Sequence, residues 1–207
     1  MHNRQTSALL LVDLQNDFFN GGVLAVPFGE EVIPLANRLQ GEFAWVVATQ
    51  DWHPAGHESF ASAHRGKKPG DVIDLHGVRQ VLWPDHCIQG TRGAGFHPDF
   101  QTSGVSHVVF KGTDSEVDSY SAFFDNARRH DTGLADWLQA RGITDIHVMG
   151  LATDYCVKFT CLDGLRLGFQ VYLIQEGCRG VDLNPGDSDA AIHEMQARGV
   201  NICTDHG

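Results

Sequence analysis

A single cysteine stands where an apolar run gives way to a helical segment, in the stretch HVMGLATDYCVKFT at 147–160. The apolar run ends at Gly150, and Cys156 follows after five residues that are mostly small or polar. A cysteine in the first turn of a helix faces unpaired backbone N–H groups and the positive end of the helix dipole, which both favour thiolate over thiol. Cys156 is therefore a candidate nucleophile, and a packed core cysteine is the alternative.

Charged residues end three other apolar runs of the sequence. Asp13 ends LLLVD, Asp51 ends VVATQD and Lys111 ends HVVFK. In a parallel sheet these positions share the carboxyl edge, where the ligand sites of open α/β folds lie. A surface turn explains one such residue more easily than three, so we expect the three side chains to meet Cys156 at this edge.

This combination of residue types predicts acyl transfer through a thioester. The ammonium group of Lys111 would lower the pKa of the thiol, and the carboxylate of Asp13 would accept its proton and return it to a leaving amine. Beside the lysine, Asp13 is expected to stay ionised. Backbone N–H groups around Ala152 and Cys156 would hold the oxyanion of a tetrahedral intermediate.

The segment that follows Asp51 carries candidate metal ligands. The stretch QDWHPAGH places His53 and His57 close behind Asp51, and in an extended chain residues two positions apart face the same side. His86, in LWPDHC, is a candidate third ligand. Histidine and aspartate together suit zinc, iron or manganese better than calcium. The alternative is an ordinary polar loop.

The apolar pattern predicts the framework that positions these residues. Short β-rich runs alternate with segments of helical period, which indicates an α/β fold: a three-layer, doubly wound, mostly parallel sheet of about six strands with helices on both faces. Asp131, Asp154 and Asp187 are placed to cap helix N-termini, and Gly142 and Gly199 to end helices. The predicted strands are 7–13, 43–50, 106–111, 145–150, 169–174 and 199–203, and the predicted helices are 29–41, 131–141, 154–167 and 187–198.

Residues 52–105 are the exception to this alternation, since they are rich in Gly, Pro and His and have little period of either kind. An ordered chain rarely carries such a long irregular stretch without a function. We expect it to fold over one edge of the sheet, with a short helix near 58–64. It would then form the metal and substrate segment of a single domain that spans 1–207.

Composition limits the class of protein. The 207 residues suffice for one domain with a real core, and a formal net charge of -11 argues against nucleic acid or an anionic membrane as a partner. Five cysteines without a CxxC pair fit a reducing cytoplasm better than a secreted disulfide framework. The apolar run ALLLV at 8–12 is too short for a signal sequence or a membrane span. We expect a cytoplasmic protein, and a homo-oligomer is left open.

Five blocks of the sequence resemble the nicotinamidases, a family within the isochorismatase-like cysteine hydrolases. The likeness runs in the same order over about residues 7–205. The blocks are LLLVDLQNDFFNGGVLAV (9–26), ATQDWHPAGHESFA (48–61), LWPDHCIQGTRGAGFHPDF (82–100), FKGTDSEVDSYSAFFD (110–125) and GLATDYCVKFT (150–160). The resemblance implies hydrolysis of the small molecule nicotinamide to nicotinate and ammonia, a step of NAD salvage, and deamidation of pyrazinamide.

The family's functional residues fall on the positions already singled out. They are Asp13, Lys111 and Cys156 for catalysis, and Asp51, His53 and His86 as ligands of one divalent metal ion. Zinc is the first choice for this ion, with iron(II) or manganese(II) as alternatives. The fourth protein ligand varies in the family, and His57 is the candidate here. The ion would anchor the ring nitrogen of the substrate, directly or through a water molecule, and would not generate hydroxide.

The resemblance also implies an oxyanion hole and an aromatic pocket. The oxyanion hole falls on the amides of Ala152 and Cys156, with a cis peptide bond before Ala152. The pocket residues are Phe18, Trp83 and Tyr120, with Tyr155 beside them. Stacking on such rings would orient a flat heteroaromatic substrate so that its carboxamide carbon faces the sulfur.

Two rival hypotheses compete with this one. Within the superfamily, isochorismatase proper lacks a nucleophilic cysteine and the carbamoyl-amide hydrolases generally lack the Asp–x–His block, so Cys156 and QDWH count against them. Outside it, a redox-sensing metal protein would use Cys156 as its sensor thiol. That hypothesis leaves Asp13 and Lys111 without a role. A sensor also needs a resolving cysteine, for which Cys161 points elsewhere on the same helix and Cys87, beside His86, is the better candidate.

Overall fold

The computed structural model describes residues 5–204, so the outermost residues of the predicted domain, 1–4 and 205–207, lie outside the described part. The strands of the described part are β1 Ser7–Val12, β2 Trp45–Asp51, β3 Val72–Leu75, β4 Val78–Val81, β5 His107–Lys111, β6 Asp145–Leu151, β7 Gln170–Arg179 and β8 Asn201–Cys203. The α-helices are α1 Val32–Gln40, α2 Leu134–Gln139, α3 Lys158–Arg166 and α4 Asp187–Ala197. None of the described helices has the length and apolar character that crossing a bilayer requires.

Six strands form one parallel sheet in the order β5-β2-β1-β6-β7-β8. The chain winds outward from β1 through β2 to β5, then returns to pair β6 with the other side of β1. The strand order therefore reverses between β1 and β6, and at such a reversal the carboxyl ends of the strands leave a crevice for a ligand. The six predicted strands all lie in this sheet, and the prediction of a doubly wound parallel sheet is confirmed.

Helices cover both faces of the sheet. Strand β6 contacts both layers, since its neighbouring residues face opposite sides. Ile146 points toward α3, where the absence of a side chain at Gly164 lets helix and sheet approach closely. His147 points the other way and meets the ring of Phe43, the third residue after α1, at a centroid distance of 5.0 Å. The predicted layers on both faces are thereby confirmed.

Gly150 allows β1 and β6 to approach each other at their carboxyl ends. Its φ of +124° is a backbone conformation that residues with a side chain rarely adopt. A Cβ at this position would collide with the backbone of Val12, its partner in the strand register. The glycine therefore allows β1 and β6 to lie close together directly beneath the crevice.

Helix ends differ from the prediction at their N-termini. The helices α2 and α4 begin after Gly133 and Gly186, N-cap glycines that have no side chain to serve as a cap. The proposed cap Asp131 instead accepts the N–H of Gly133, and Asp187 accepts the N–H of Asn184. These two aspartates stabilise the turns before the helices, so the prediction that they cap the helices is wrong.

The C-terminal glycines were predicted correctly. Gly142 and Gly199 adopt φ values of +69° and +105° just after α2 and α4. Asp154, the third proposed cap, lies inside the turn that precedes α3. There its carboxylate accepts the N–H groups of Val181 and Asp182, which holds the 181–182 segment against this turn.

The irregular segment contains a hairpin that the sequence pattern did not reveal. Strands β3 and β4 pair antiparallel as a separate two-stranded sheet. The predicted helix near 58–64 is only a short 3-10 turn at Ala61–Ala63. Both hairpin strands have four residues and are partly exposed, so their apolar alternation is too short to stand out.

Candidate active site

Lys111 is the hub of the site at the carboxyl edge of the sheet. Its Nζ lies 2.8 Å from Asp13 Oδ2 and 3.3 Å from Cys156 Sγ. The same ammonium group donates to Asp51 Oδ1 and, at 3.1 Å, to the carbonyl oxygen of Ser119. These side chains are buried. The three other residues that the sequence placed at this edge, Asp13, Asp51 and Cys156, therefore meet around the ammonium group of Lys111.

Thr49 fixes the orientation of Asp13. The backbone of Asp13 has a φ of +53°, which is uncommon for a residue other than glycine. Its N–H donates to Thr49 Oγ1 at 3.1 Å, and the Thr49 hydroxyl donates back to Asp13 Oδ1. One carboxylate oxygen thus faces the threonine and the other faces Lys111. The only sequence signal for Thr49 is a polar residue inside an otherwise apolar strand.

Complete burial changes the protonation that the sequence led us to expect. Burial raises the pKa of the Cys156 thiol well above its ordinary value, because it outweighs the opposing effect of Lys111. The prediction that this thiol is acidified at rest is therefore wrong. Burial also raises the pKa of Asp13 to about 6, although Lys111 opposes it.

The resting site therefore pairs a carboxylate with a thiol. At neutral pH Asp13 is mainly ionised, as expected, and Cys156 retains its proton. Burial lowers the pKa of Lys111, but Asp13 and Asp51 together raise it well above its ordinary value, so the ammonium stays charged. This is the protonation state in which a general base can remove a thiol proton at the moment of attack.

The nucleophile lies in a π-helical turn, Thr153–Val157, that leads directly into α3. The N–H groups of Tyr155 and Val157 both bond the carbonyl oxygen of Ala152 at 3.1 Å. The peptide bond between Leu151 and Ala152 is cis, as the resemblance implied. Ala152 and Cys156 line the same cavity.

A second cluster, Asp51, His53 and His86, adjoins the lysine. One ligand atom from each of these buried residues lies within 4.8 Å of the others. The Nδ1 atoms of His53 and His86 lie 3.0 Å from Gly112 O and 2.8 Å from Pro84 O. Because a carbonyl oxygen only accepts, each Nδ1 carries a hydrogen, which leaves each Nε2 directed at the cluster.

The chemistry of this donor set fits a divalent cation. His53 Nε2 is buried and has no hydrogen-bond partner among the described residues. Burial lowers the pKa of His53 to about 4, which keeps the imidazole neutral, as a ligand must be. Two imidazole nitrogens and a carboxylate oxygen are common ligands of zinc and of other first-row metals.

His57 has a different hydrogen-bond pattern. Its Nδ1 accepts the N–H of Ser59 at 3.0 Å, so the ring hydrogen lies on Nε2. Its ligand atom groups with those of His53 and Asp118, and not with the Asp51 and His86 cluster. This geometry gives no support to the expectation that His57 is a fourth metal ligand.

Aromatic side chains close the cavity above the sulfur. Phe18, Trp83, Tyr120 and Tyr155 all line it together with Cys156. The rings of Trp83 and Tyr155 meet edge to face at a centroid distance of 4.8 Å, and Trp83 Nε1 donates to the Tyr120 hydroxyl at 3.1 Å. The structure therefore brings the predicted pocket residues to one place.

Several residues of the site were not predicted from the sequence. Leu24, Asp118 and Val181 also line the cavity. Gln15 fixes the metal-ligand strand, since its side chain accepts the N–H of Asp51 and donates to the Asp51 carbonyl. Asp118 could have been suspected, because it lies in the block around DSYS that carried the resemblance.

Comparison with known proteins identifies the family of the chain. The family model of the isochorismatase domain matches residues 7–206. The chain belongs to the isochorismatase family. Within this family, it is 53% identical over 201 residues to a nicotinamidase of Escherichia coli, with 95% of this chain and 94% of the relative covered.

Solved structures of the isochorismatase family share the fold. A nicotinamidase/pyrazinamidase of Acinetobacter baumannii superposes with a TM-score of 0.93 at 47% identity, covering 96% of this chain and 95% of the other. A pyrazinamidase of Pyrococcus horikoshii, solved in complex with zinc, superposes with a TM-score of 0.78 at 36% identity, covering 97% and 99%.

Proposed function

We propose that this protein is a nicotinamidase, which hydrolyses nicotinamide to nicotinate and ammonia through a thioester on Cys156 and serves NAD salvage. The observation that carries the proposal is the contact of one buried ammonium, Lys111 Nζ, with Asp13, Asp51 and Cys156. This contact joins a thiol and its base to a cluster suited to a metal. The similarity to nicotinamidases over nearly the whole chain supports the choice of substrate.

Acylation begins when Asp13 accepts the proton of the Cys156 thiol. The sulfur then forms a bond to the carboxamide carbon, and the electron pair of the carbonyl moves to its oxygen. The amides of Ala152 and Cys156 stabilise this oxyanion. When the intermediate collapses, the carbon–nitrogen bond breaks, Asp13 returns the proton to the nitrogen, and ammonia leaves a thioester on Cys156.

Deacylation repeats these roles with water. Asp13, again a carboxylate, removes a proton from a water molecule that attacks the thioester carbon, and the same amides hold the second oxyanion. The carbon–sulfur bond then breaks and releases nicotinic acid, which loses its proton to water to give nicotinate, while the sulfur recovers a proton from Asp13. Throughout, the positive charge of Lys111 stabilises the ionised forms of both neighbours.

We also propose that Asp51, His53 and His86 hold one divalent ion, zinc first and iron(II) or manganese(II) as alternatives. The cluster geometry and the zinc complex of the Pyrococcus horikoshii pyrazinamidase support this. When bound, the ion supplies a positive anchor for the ring nitrogen. The rings of Phe18, Trp83, Tyr120 and Tyr155 would orient the flat substrate and exclude water.

Pyrazinamide is proposed as a second substrate, because it presents the same carboxamide on a ring with a nitrogen at the equivalent position. We further propose that residues 1–207 form one domain and that the protein works in the cytoplasm. All five cysteines carry free thiols, which is the expected state in a reducing compartment.

Ammonia release from nicotinamide tests the proposed function. The wild-type protein should release ammonia, release should fall after removal of metal by a strong chelator, and Cys156→Ala should abolish it. Cys203→Ala is the matched control, because Cys203 lies on the edge strand β8, far along the sheet from the site. Turnover near the wild-type rate in Cys156→Ala would rule out the thioester.

A further inference from the structure

His57 and Asp118 form an unassigned polar pair beside the metal cluster. Both are buried, and one ligand atom from each lies within 4.8 Å of the other and of His53. Asp118 also lines the cavity that contains Cys156, Asp51 and His86. Both residues therefore lie beside the metal cluster, and Asp118 also faces the substrate pocket.

The hydrogen-bond roles of the two residues are complementary. His57 Nε2 carries a hydrogen, because Nδ1 accepts the N–H of Ser59, and this Nε2 has no partner in the described part of the chain. A buried N–H donor without an acceptor is costly, so an acceptor is expected there. Asp118 offers only acceptor atoms. A molecule that both accepts from His57 and donates to Asp118 would satisfy the two residues together.

The pair cannot form a second metal site through His53. The Nδ1 of His53 donates to the carbonyl oxygen of Gly112, so only the Nε2 lone pair is available to a metal ion. This one lone pair can bind a single ion. This Nε2 lies 3.9 Å from both Asp51 Oδ2 and Asp118 Oδ1. A single ion bound through this Nε2 with Asp51 and His86 would therefore have Asp118 and His57 as neighbours.

The surroundings of the Asp118 carboxylate also favour a nearby ion. Its Oδ2 accepts from Gln80 Nε2 at 3.0 Å and its Oδ1 from the N–H of Ser119 at 2.8 Å. Both donors are neutral, and within residues 5–204 no lysine or arginine forms an ion pair with this carboxylate. The carboxylate of Asp51, by contrast, already shares the charge of Lys111. A divalent ion beside this buried carboxylate would compensate its negative charge.

We infer that His57 and Asp118 bind a water molecule on the metal ion and do not bind the ion directly. One water spans groups of this separation, since two hydrogen bonds of about 2.8 Å bridge it. Gln80, delivered by the hairpin strand β4, holds Asp118 in place for this task. The inference rests on the proposed metal site, because the water is assigned to that ion.

Zinc affinity measured against a competing chromophoric chelator tests the inference. The variants are Asp118→Asn, which removes the charge, and His57→Phe, which keeps a ring against His53 and Phe60 but removes the donor. Both should still bind one ion per chain, with a dissociation constant raised about 10- to 100-fold. Circular dichroism of the metal-free proteins establishes that each variant is folded before titration.

Two controls make the result decisive. Glu58→Gln removes one negative charge next to His57, but the half-buried Glu58 directs its carboxylate to His76, so zinc affinity should be unchanged. His53→Ala should lose stoichiometric zinc. Affinity within threefold of the wild type in either test variant would overturn the inference, and so would loss of stoichiometric zinc, which marks a direct ligand. A wild-type protein that binds no zinc would instead contradict the proposed metal site.

Discussion

Asp51 and Lys111 stand directly opposite each other in the register of β2 and β5, and Lys111 Nζ donates to Asp51 Oδ1. Asp51 also belongs to the metal cluster, while the same Nζ reaches the sulfur of Cys156. One strand pair therefore connects the two halves of the site. A substitution of Lys111 should therefore change both the reactivity of the Cys156 thiol and the stability of the protein.

Lys111→Met should raise the pH at which Cys156 is alkylated. Lys111 is the largest influence that lowers the pKa of this thiol, so its removal raises that pKa further. The variant also leaves two buried carboxylates without their partner, which should lower the free energy of unfolding by about 3–5 kcal/mol. Iodoacetamide labelling followed across pH, together with urea denaturation, measures both effects.

Lys158→Met is the control for that variant. Lys158 starts α3 two residues after Cys156, but its ammonium faces Glu194 at 3.8 Å and lies outside the cavity. Its loss should leave the labelling profile unchanged. An unaltered profile in Lys111→Met as well would reduce the lysine to a structural role.

The fall of activity at low pH should follow the protonation of Asp13. The base must be ionised to take the thiol proton, and burial raises the pKa of Asp13 to about 6. We therefore expect kcat/KM for nicotinamide to fall as the pH drops through about 6. Steady-state rates between pH 4.5 and 8, a range chosen around that value, with metal content checked at each pH, measure this limb.

Thr49→Val should move the same limb to higher pH. The hydroxyl of Thr49 donates to Asp13 and lowers its pKa, so an isosteric valine raises that pKa, by about one unit. Thr49→Ser retains a hydroxyl and should restore the original profile. An identical limb in the valine variant would show that the threonine does not tune the base.

Gly164→Ala should destabilise the fold without touching the site. A Cβ there would lie 2.6 Å from Ile146 Cδ1 and 3.2 Å from Val171 Cγ2, so these side chains or α3 itself would have to shift. Overpacking of this kind costs about 1–3 kcal/mol. The matched control is Gly41→Ala, where the new Cβ meets only Arg38 O, at 3.6 Å. Urea midpoints that do not differ between the two variants would contradict the close approach.

The sheet was predictable from the sequence because strands buried on both faces are written as continuous apolar runs. Strand β1, Ser7–Val12, is buried at every position. The meeting of the charged residues at one edge follows from the parallel order of the strands. The hairpin of β3 and β4 was missed, since four-residue strands carry too little pattern. The same physical limit applies to loops that fold back over a sheet.

The site was predictable as a set of positions but not as an electrostatic environment. Asp13, Lys111 and Cys156 follow from their places at strand and helix ends. The role of Thr49 and Asp118 depends on contacts between segments, and no local pattern encodes these. The raised pKa of Cys156 depends on how deeply the thiol is buried, which only the packed structure shows.

The pairing of β1 with β6 also determines when activity can arise during synthesis. These strands join residues 7–12 to 145–150, so Asp13, Asp51 and Lys111 leave the ribosome well before Cys156. Pairings between such distant parts of a chain form late in folding. The nascent protein therefore carries the base and the lysine without the thiol until the second half of the sheet docks onto the first. Catalytic competence is gained in one late step, and the cell receives an active enzyme only from chains that are nearly complete.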